Sequence, residues 1–539
     1  MHHRLVAPAL LFLLCGFCVA ATAAASRSEL VSVTPGGASG NKESSAAGIS
    51  ADGRYVVFFS DATDLVPNDT NGMTDVFVRD METNTTTLVS VNLGGTASAE
   101  GASVTFGSVI SADGRYVVFE STAHDLVAET TEQFRNVFVR DLVAQTTVLV
   151  SVDANVIGVG AGPGFRPEFI PTSNNPVISE NGRYVLFYTP ARLLPSDTNS
   201  MLDVYARDLE LNATTLVSIN ATGSAAGGIF GDRFVGGHRR QITPDGRYAV
   251  FISGANDLAP NDVDPGADLF VRDLLANTTE LVSVGVGSLT SRTLYSEPAI
   301  SDNGRYVVFV RRDGDSSDND RIYVRDRVSG TTRRIPFEGN INVATAAPAI
   351  SGDGRFVAFE GIATPTPTTF NQRNIWIYDA LTGATELGSP GLEGQGAGRP
   401  CSLYDLSRDG RFVAFGSQAL NLSTTPSGGW PSGPDVFIRD RATGKTGVAS
   451  VNTAGRGGVS ASGNVHLARD AARVAFTVYS GTLTPADSNV QPDAFAAEIE
   501  APPAPVARDD AYAAQESTPL VVPAPGVLVN DSTRGGPLL

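Results

Sequence analysis

Oxygen-bearing side chains recur at one spacing in four places of this 539-residue sequence. The sets are Asp69, Asn71 and Asp75; Asp197, Asn199 and Asp203; Asp262, Asp264 and Asp268; and Asp487, Asn489 and Asp493. Each follows a proline in the pattern Pro-x-Asp-x-[Asn/Asp]-x-x-x-Asp. Hard oxygen ligands alternating along a tight loop are what calcium takes. The loops fall short of an EF-hand, because most copies lack its central glycine and its distant bidentate Glu. Asp and Asn also close turns through their own backbone, and that chemistry accounts for the same residue types without a metal. Calcium is therefore the one cofactor the sequence raises.

Nucleophilic chemistry has less to build on. Past the N-terminal leader the histidines are His124, His238 and His466, on different repeat units. No Gly-x-Ser-x-Gly elbow, His-Glu-x-x-His pair or Cys/His zinc cluster is present. A Ser-His-Asp triad needs only to meet in space, so the spacing alone does not exclude one. Cys15 and Cys18 lie in the leader, leaving Cys401, which reads as a buried structural thiol. Ser50-Ala51-Asp52-Gly53 is similar to a sialidase Asp box, but its glycine comes one position early. No catalysis is expected.

The elements that carry these residues repeat. Ile49-Ser50-Ala51-Asp52-Gly53-Arg54-Tyr55-Val56-Val57-Phe58 returns with its glycine at Gly114, Gly182, Gly246, Gly304, Gly354 and Gly410. A worn eighth copy runs from Leu467 to Phe476. The period of 50 to 68 residues signals a propeller or a solenoid. Asp-Gly or Asn-Gly between apolar runs is a hairpin signal, because both residues tolerate positive φ. Tyr55-Val56-Val57-Phe58 is apolar on both faces, as in a strand packed between two sheets. A second phrase, Asp75 to Asp80, and a third, Thr86 to Val91, recur after it. With a short strand before the Asp-Gly turn, each unit has four strands.

The last unit lacks a third phrase, whereas Glu29-Leu30-Val31-Ser32-Val33 near the start is an unpaired one. Residues 30–33 are thus expected to complete the last sheet and close a ring, which removes open sheet edges. The fold class is all-β: an eight-bladed β-propeller over residues 26–500, followed by a truncated β-sandwich-like tail.

The repeat resembles the WD40-like (PD40) β-propeller repeat of TolB-type proteins, whose hallmark is a Ser-Pro-Asp-Gly turn before an apolar strand. Thr243-Pro244-Asp245-Gly246 comes nearest to that form. The resemblance implies a propeller, and a protein-binding part of the bacterial envelope or a domain of a peptidase. After a Pro-rich linker, residues 501–506, the stretch 507–539 resembles the opening of a bacterial cadherin-like or immunoglobulin-like module. Asp509, Asp510 and Asp531 fall where such modules hold acidic ligands.

Residues 1–25 read as a signal peptide: His2, His3 and Arg4, an apolar run, then Ala-x-Ala, with cleavage near Ala23 or Ala25. A secreted or periplasmic product without a membrane span is expected. The formal charge of −18 becomes −19 when Arg4 leaves, which argues against nucleic acid or anionic membrane as partner. Ligand contacts are expected just before the inner hairpins, at the channel mouth: Glu100, Arg166, Glu168, Arg239, Arg240, Tyr295, Glu297 and Arg399. The function expected is a monomeric, secreted or cell-surface scaffold binding a protein or polysaccharide. The alternatives are a channel-site glycan lyase or hydrolase, and a calcium-dependent adhesin.

Overall fold

A computed structural model describes residues 28–104, 109–129, 131, 135–153, 174–199, 201–227, 240–262, 266–286, 294–312, 320–341, 347–363, 372–427, 433–457, 460, 463–479 and 483–499, with 532–533 and 536–537 beyond them. Residues 1–25, read above as a signal peptide, and nearly all of the stretch 507–539 lie outside these residues. The repeat units form eight antiparallel sheets joined into a closed propeller. In blade 1 the strands are Ser44–Ile49, Tyr55–Ser60, Asp75–Asp80 and Thr85–Leu88, from the channel outward. In blade 4 the innermost described pairing is a single bridge, Ile242 to Ala249.

The closure expected from the N-terminal phrase is present, with a shifted strand. Ser28–Leu30 pairs with Asp493–Glu498, Leu30 opposite Phe495. Ser32 and Val33 lie past the strand; the Val31 and Ser32 N–H groups both donate to the Ala494 carbonyl. The first and last strands of the propeller thus share one sheet.

The apolar second strands explain the core. Val56, Val57 and Phe58 are fully buried, as are their counterparts Val117, Val118 and Phe119, because a blade interior has a sheet against each face. Second and third strands stack aromatic rings across the ladder, as in Phe58–Phe77, Phe187–Tyr205 and Phe415–Phe437. One apolar cluster runs continuously through blades 1 to 3, so the core lies between sheets rather than within any one of them.

The Asp-Gly turns do two jobs. Gly246 has φ +77, as the hairpin requires, and it also packs on the preceding blade, where an added Cβ would lie 2.2 Å from Tyr184 Cδ2. The same contact joins Gly114 to Tyr55 and Gly304 to Tyr248. In the worn eighth copy Ala471 takes this role at φ 55.

In blades 1 to 7 the arginine after the turn clasps the end of the third strand. Arg54 holds Asp80 at 2.7 Å and lies over the Tyr55 ring, and Arg115–Asp141, Arg183–Asp208, Arg247–Asp273 and Arg305–Asp326 repeat the clasp. Burial would raise the Asp80 carboxyl, but Arg54 and the Glu82 and Thr83 N–H groups hold it down at about 2. Arg355 holds Asp379 at about 2 as well. A carboxyl depressed in the folded state stabilises above its unfolded pKa of about 3.9 and loses that contribution as pH falls through the folded value. The clasps are therefore expected to hold fully above about pH 4 and to fail between about pH 4 and 2. Denaturant midpoints measured across that window should fall less steeply in Asp80→Asn than in the parent; equal slopes would show that the clasp is inert.

Candidate functional site

The inner strands surround a channel, and its turn-side mouth is where charge collects. Adjacent blades are tied there by backbone hydrogen bonds at the residue between the Ser and Asp/Asn of each turn. Ala51 N–H donates to Ala112 O, Ala112 to Glu180, Asp302 to Gly352, Gly352 to Arg408 and Arg408 to Arg469. Asn181 N–H reaches Pro244 O, and Asp470 N–H returns to Ala51 O, closing the circle. Pro244 has no N–H to pass on. The junction of blades 4 and 5 is made instead one layer in, by Ile300 N–H donating to Arg240 O at 3.0 Å.

Position matters more than type at this ring. Blades 1, 2, 4 and 6 place Ala51, Ala112, Pro244 and Gly352 in it, whereas blades 3, 5, 7 and 8 place Glu180, Asp302, Arg408 and Arg469. The four charged side chains pair across the mouth. Arg469 meets Asp302 at 2.6 Å and Glu180 at 2.8 Å; Arg408 meets Asp302 at 2.7 Å and Glu180 at 3.7 Å. Burial alone would raise the Asp302 carboxyl, but the Arg469, Arg240 and Arg408 guanidiniums hold it below the usual carboxylate range. Gly352 leaves room for this, since a Cβ there would come within 2.4 Å of Asp302 Oδ2.

Above the cluster, Arg240 crosses the channel from blade 4. Its guanidinium donates to the Ile350 carbonyl of blade 6 and, at 3.1 Å, to the Leu406 carbonyl of blade 7. Burial, with Arg469 nearby, brings its pKa down to about 10, so it stays charged at neutral pH. The inner cavity, lined by Ile49, Ile110, Ile178, Asp405 and His466 among others, has a volume of ≈ 110 Å³, and a second, more open pocket of ≈ 530 Å³ lies at the mouth against Asp302, Gly352, Arg408 and Arg469. Small-molecule sites commonly run about 300–1,000 Å³, so the inner cavity falls below that range and the mouth pocket within it.

Of the residues expected at the channel mouth, Arg240 lies in the channel. Glu100 and Arg399 do not line the described cavity: both are exposed, and Glu100 pairs with His124 at 3.0 Å. They sit on the connecting loops before the inner strands Ser103–Val104 and Cys401–Leu406 begin. Tyr295 and Glu297 belong to the inner strand Leu294–Ile300 of blade 5, but their side chains lie outside the described residues. Arg166, Glu168, Arg239 and Asp264 lie outside them too. The residues that sequence reasoning missed are Glu180, Asp302, Arg408 and Arg469. Their signal was available, as charges in a turn position that other copies fill with Ala, Pro or Gly.

The acidic loops lie at the opposite end of the blades, joining second to third strands. Asp75, Asp203, Asp268 and Asp493 open the third strands and are buried, and each accepts a bond from an outer-strand serine hydroxyl: Ser90, Ser218, Ser283 and Ser32. Asp69, Asp197, Asp262 and Asp487 are buried beside them. Asn71, Asn199 and Asn489 use their amides to cap their own loops and to hold the next connection. Cys401 is buried, and burial pushes its thiol up to about 12, which leaves it inert as a nucleophile. Among the described residues no helix is long and apolar enough to cross a membrane.

No protein-family profile and no curated protein matches the sequence. Solved structures similar in fold include an oligogalacturonate lyase in complex with manganese, 11% identical over 73% of this chain and 88% of that one, TM-score 0.41. Dipeptidyl peptidase 4 of Porphyromonas gingivalis is 11% identical over 84% of this chain and 59% of its own, TM-score 0.49. TolB of Acinetobacter baumannii is 14% identical over 65% and 64%, TM-score 0.30. The protein is an eight-bladed β-propeller whose structural neighbours include TolB and peptidase propellers.

Proposed function

We propose that this protein is an exported binding scaffold that engages a partner with its faces and performs no chemistry in its channel. The observation that carries the reading is the turn-side mouth. Its four charged ring residues are spent on one another, and Arg240 spans the space behind them.

A protein partner is favoured over a polysaccharide by the same face. Successive hairpins of an antiparallel blade alternate ends, so the hairpin between third and outer strands lies with the Asp-Gly turns. Its tip bears an exposed apolar side chain on five consecutive blades: Val143, Leu211, Leu275, Val328 and Leu381, each at least 68% exposed. Aliphatic tips on a rigid arc suit a protein surface better than a sugar. The repeat itself is read as the PD40 type, and residues 507–539 as the start of a cadherin-like module.

The test is capture from envelope and medium fractions with the full chain, beside a chain carrying serine at those five tips. A partner enriched by the parent and lost with the serine chain is expected. Turnover of a defined glycan, abolished by one channel substitution, would overturn the reading.

A further inference from the structure

Blades 1 and 8 each bury two carboxylates side by side with oxygens left over. Asp69 is 6% exposed and Asp75 0%, and both oxygens of Asp69 and Oδ2 of Asp75 are buried without a well-formed hydrogen bond. In blade 8 Asp487 is 7% exposed and Asp493 1%, with Oδ1 of the first and Oδ2 of the second unpartnered. Leaving such groups without a counter-charge is costly.

Two comparisons inside the chain show what these oxygens lack. Blade 3 has the same pair, Asp197 and Asp203, but carries Tyr205 where blades 1 and 8 carry Phe77 and Phe495. The Tyr205 hydroxyl donates to Asp197 Oδ2 at 2.6 Å, so that blade supplies its own donor. Second, accepting the serine bond does not require an acid, because Asn136 and Asn374 do it in blades 2 and 6. Both of those blades have threonine, Thr130 and Thr368, six residues upstream, where the loop aspartate would stand. Every loop aspartate is followed six residues on by Asp, never Asn, although Asp320 and Asp435 show that Asp also occurs without one.

The geometry points to a hard, oxygen-seeking divalent cation of the calcium class between Asp69 and Asp75 in blade 1 and between Asp487 and Asp493 in blade 8, the second site fastening the N-terminal segment that closes the ring. Two carboxylates match a charge of +2. No group of three His, Cys, Asp or Glu side chains converges among the described residues, so the remaining ligands are neutral oxygens, which calcium accepts. The blade 8 loop is already interwoven with the chain's start: Ser32 Oγ donates to Asp493 Oδ1, Ser488 N–H to Ser39 Oγ, and Asn489 Nδ2 to Gly40 O. A cation there binds the C-terminal loop that residues 32–40 embrace. This inference is independent of the scaffold's partner.

The experiment titrates calcium chloride into the chelator-treated full chain by calorimetry and follows hydrogen exchange of residues 28–40. At least two sites are expected, with exchange slowed about tenfold or more by calcium and Tm raised by at least about 2 °C. Asp493→Asn should remove one site. Phe495→Tyr, which copies the blade 3 solution, should remove the same site while keeping the chelator-state Tm at or above that of the parent. Absence of binding heat at millimolar calcium overturns the proposal. So does binding undiminished in both variants, or exchange of residues 28–40 indifferent to calcium.

Discussion

Gly246→Ala is expected to cost the fold about 2–5 kcal/mol, far more than its single methyl group suggests. Alanine at positive φ costs about 1–2 kcal/mol. Forcing a methyl into a packed contact adds about 1–3 kcal/mol, and here it would press on Tyr184 of the neighbouring blade. Gly223 supplies the control, since its φ is +70 and nothing lies within 4 Å of an added Cβ. Gly223→Ala carries only the backbone share, so the gap between the two variants in denaturant unfolding isolates the packing between blades. Adding Tyr184→Leu to Gly246→Ala should recover much of that gap, because contacting residues are not additive. Equal losses at Gly246 and Gly223 would sink the idea that the turn glycines serve the interface.

The second large effect concerns Asp302. Its carboxylate is the only group to meet both Arg408 and Arg469 within 2.7 Å among the described ion pairs, and its side chain is 16% exposed. Removing one partner from a largely buried cluster strands the charges it served, at a cost of about 3–5 kcal/mol when burial is complete. Asp302→Ala leaves Arg240, Arg408 and Arg469 at the mouth, so a loss of about 2–4 kcal/mol is expected, scaled for the exposed fraction. Glu498→Ala, which breaks an ion pair to Arg473 on a carboxylate 67% exposed, should cost under about 1 kcal/mol. The Asp302 carboxyl is depressed, so its share of stability is present above about pH 4 and is lost as pH falls below that. Were Asp302→Ala to match Glu498→Ala in its denaturant midpoint, the cluster would be decoration and not a seal.

Much of this fold was legible in the residues. A hairpin dipeptide, an apolar run and an aspartate-terminated strand recurring seven times, with a worn eighth copy, define a four-stranded unit, and one orphan phrase at the start announces ring closure. The phrase carried the closure although the paired strand proved to be Ser28–Leu30 rather than residues 30–33. Strand boundaries depend on where twist ends the ladder, which residue type does not record.

The channel was less legible. Glu100 and Arg399 precede an inner strand in sequence, yet where a loop side chain points depends on the loop's path. The ion pairs among Glu180, Asp302, Arg408 and Arg469 join residues 106 to 289 apart in sequence, which meet because a ring brings every eighth of the propeller to one axis. Local pattern determined what each blade is, since short runs apolar on both faces and turn chemistry act over a few residues. Only the closed tertiary structure decided which charges face one another, which glycines lie against a neighbouring ring, and which aspartates are buried in pairs. Those properties belong to contacts between blades, and no single repeat contains them.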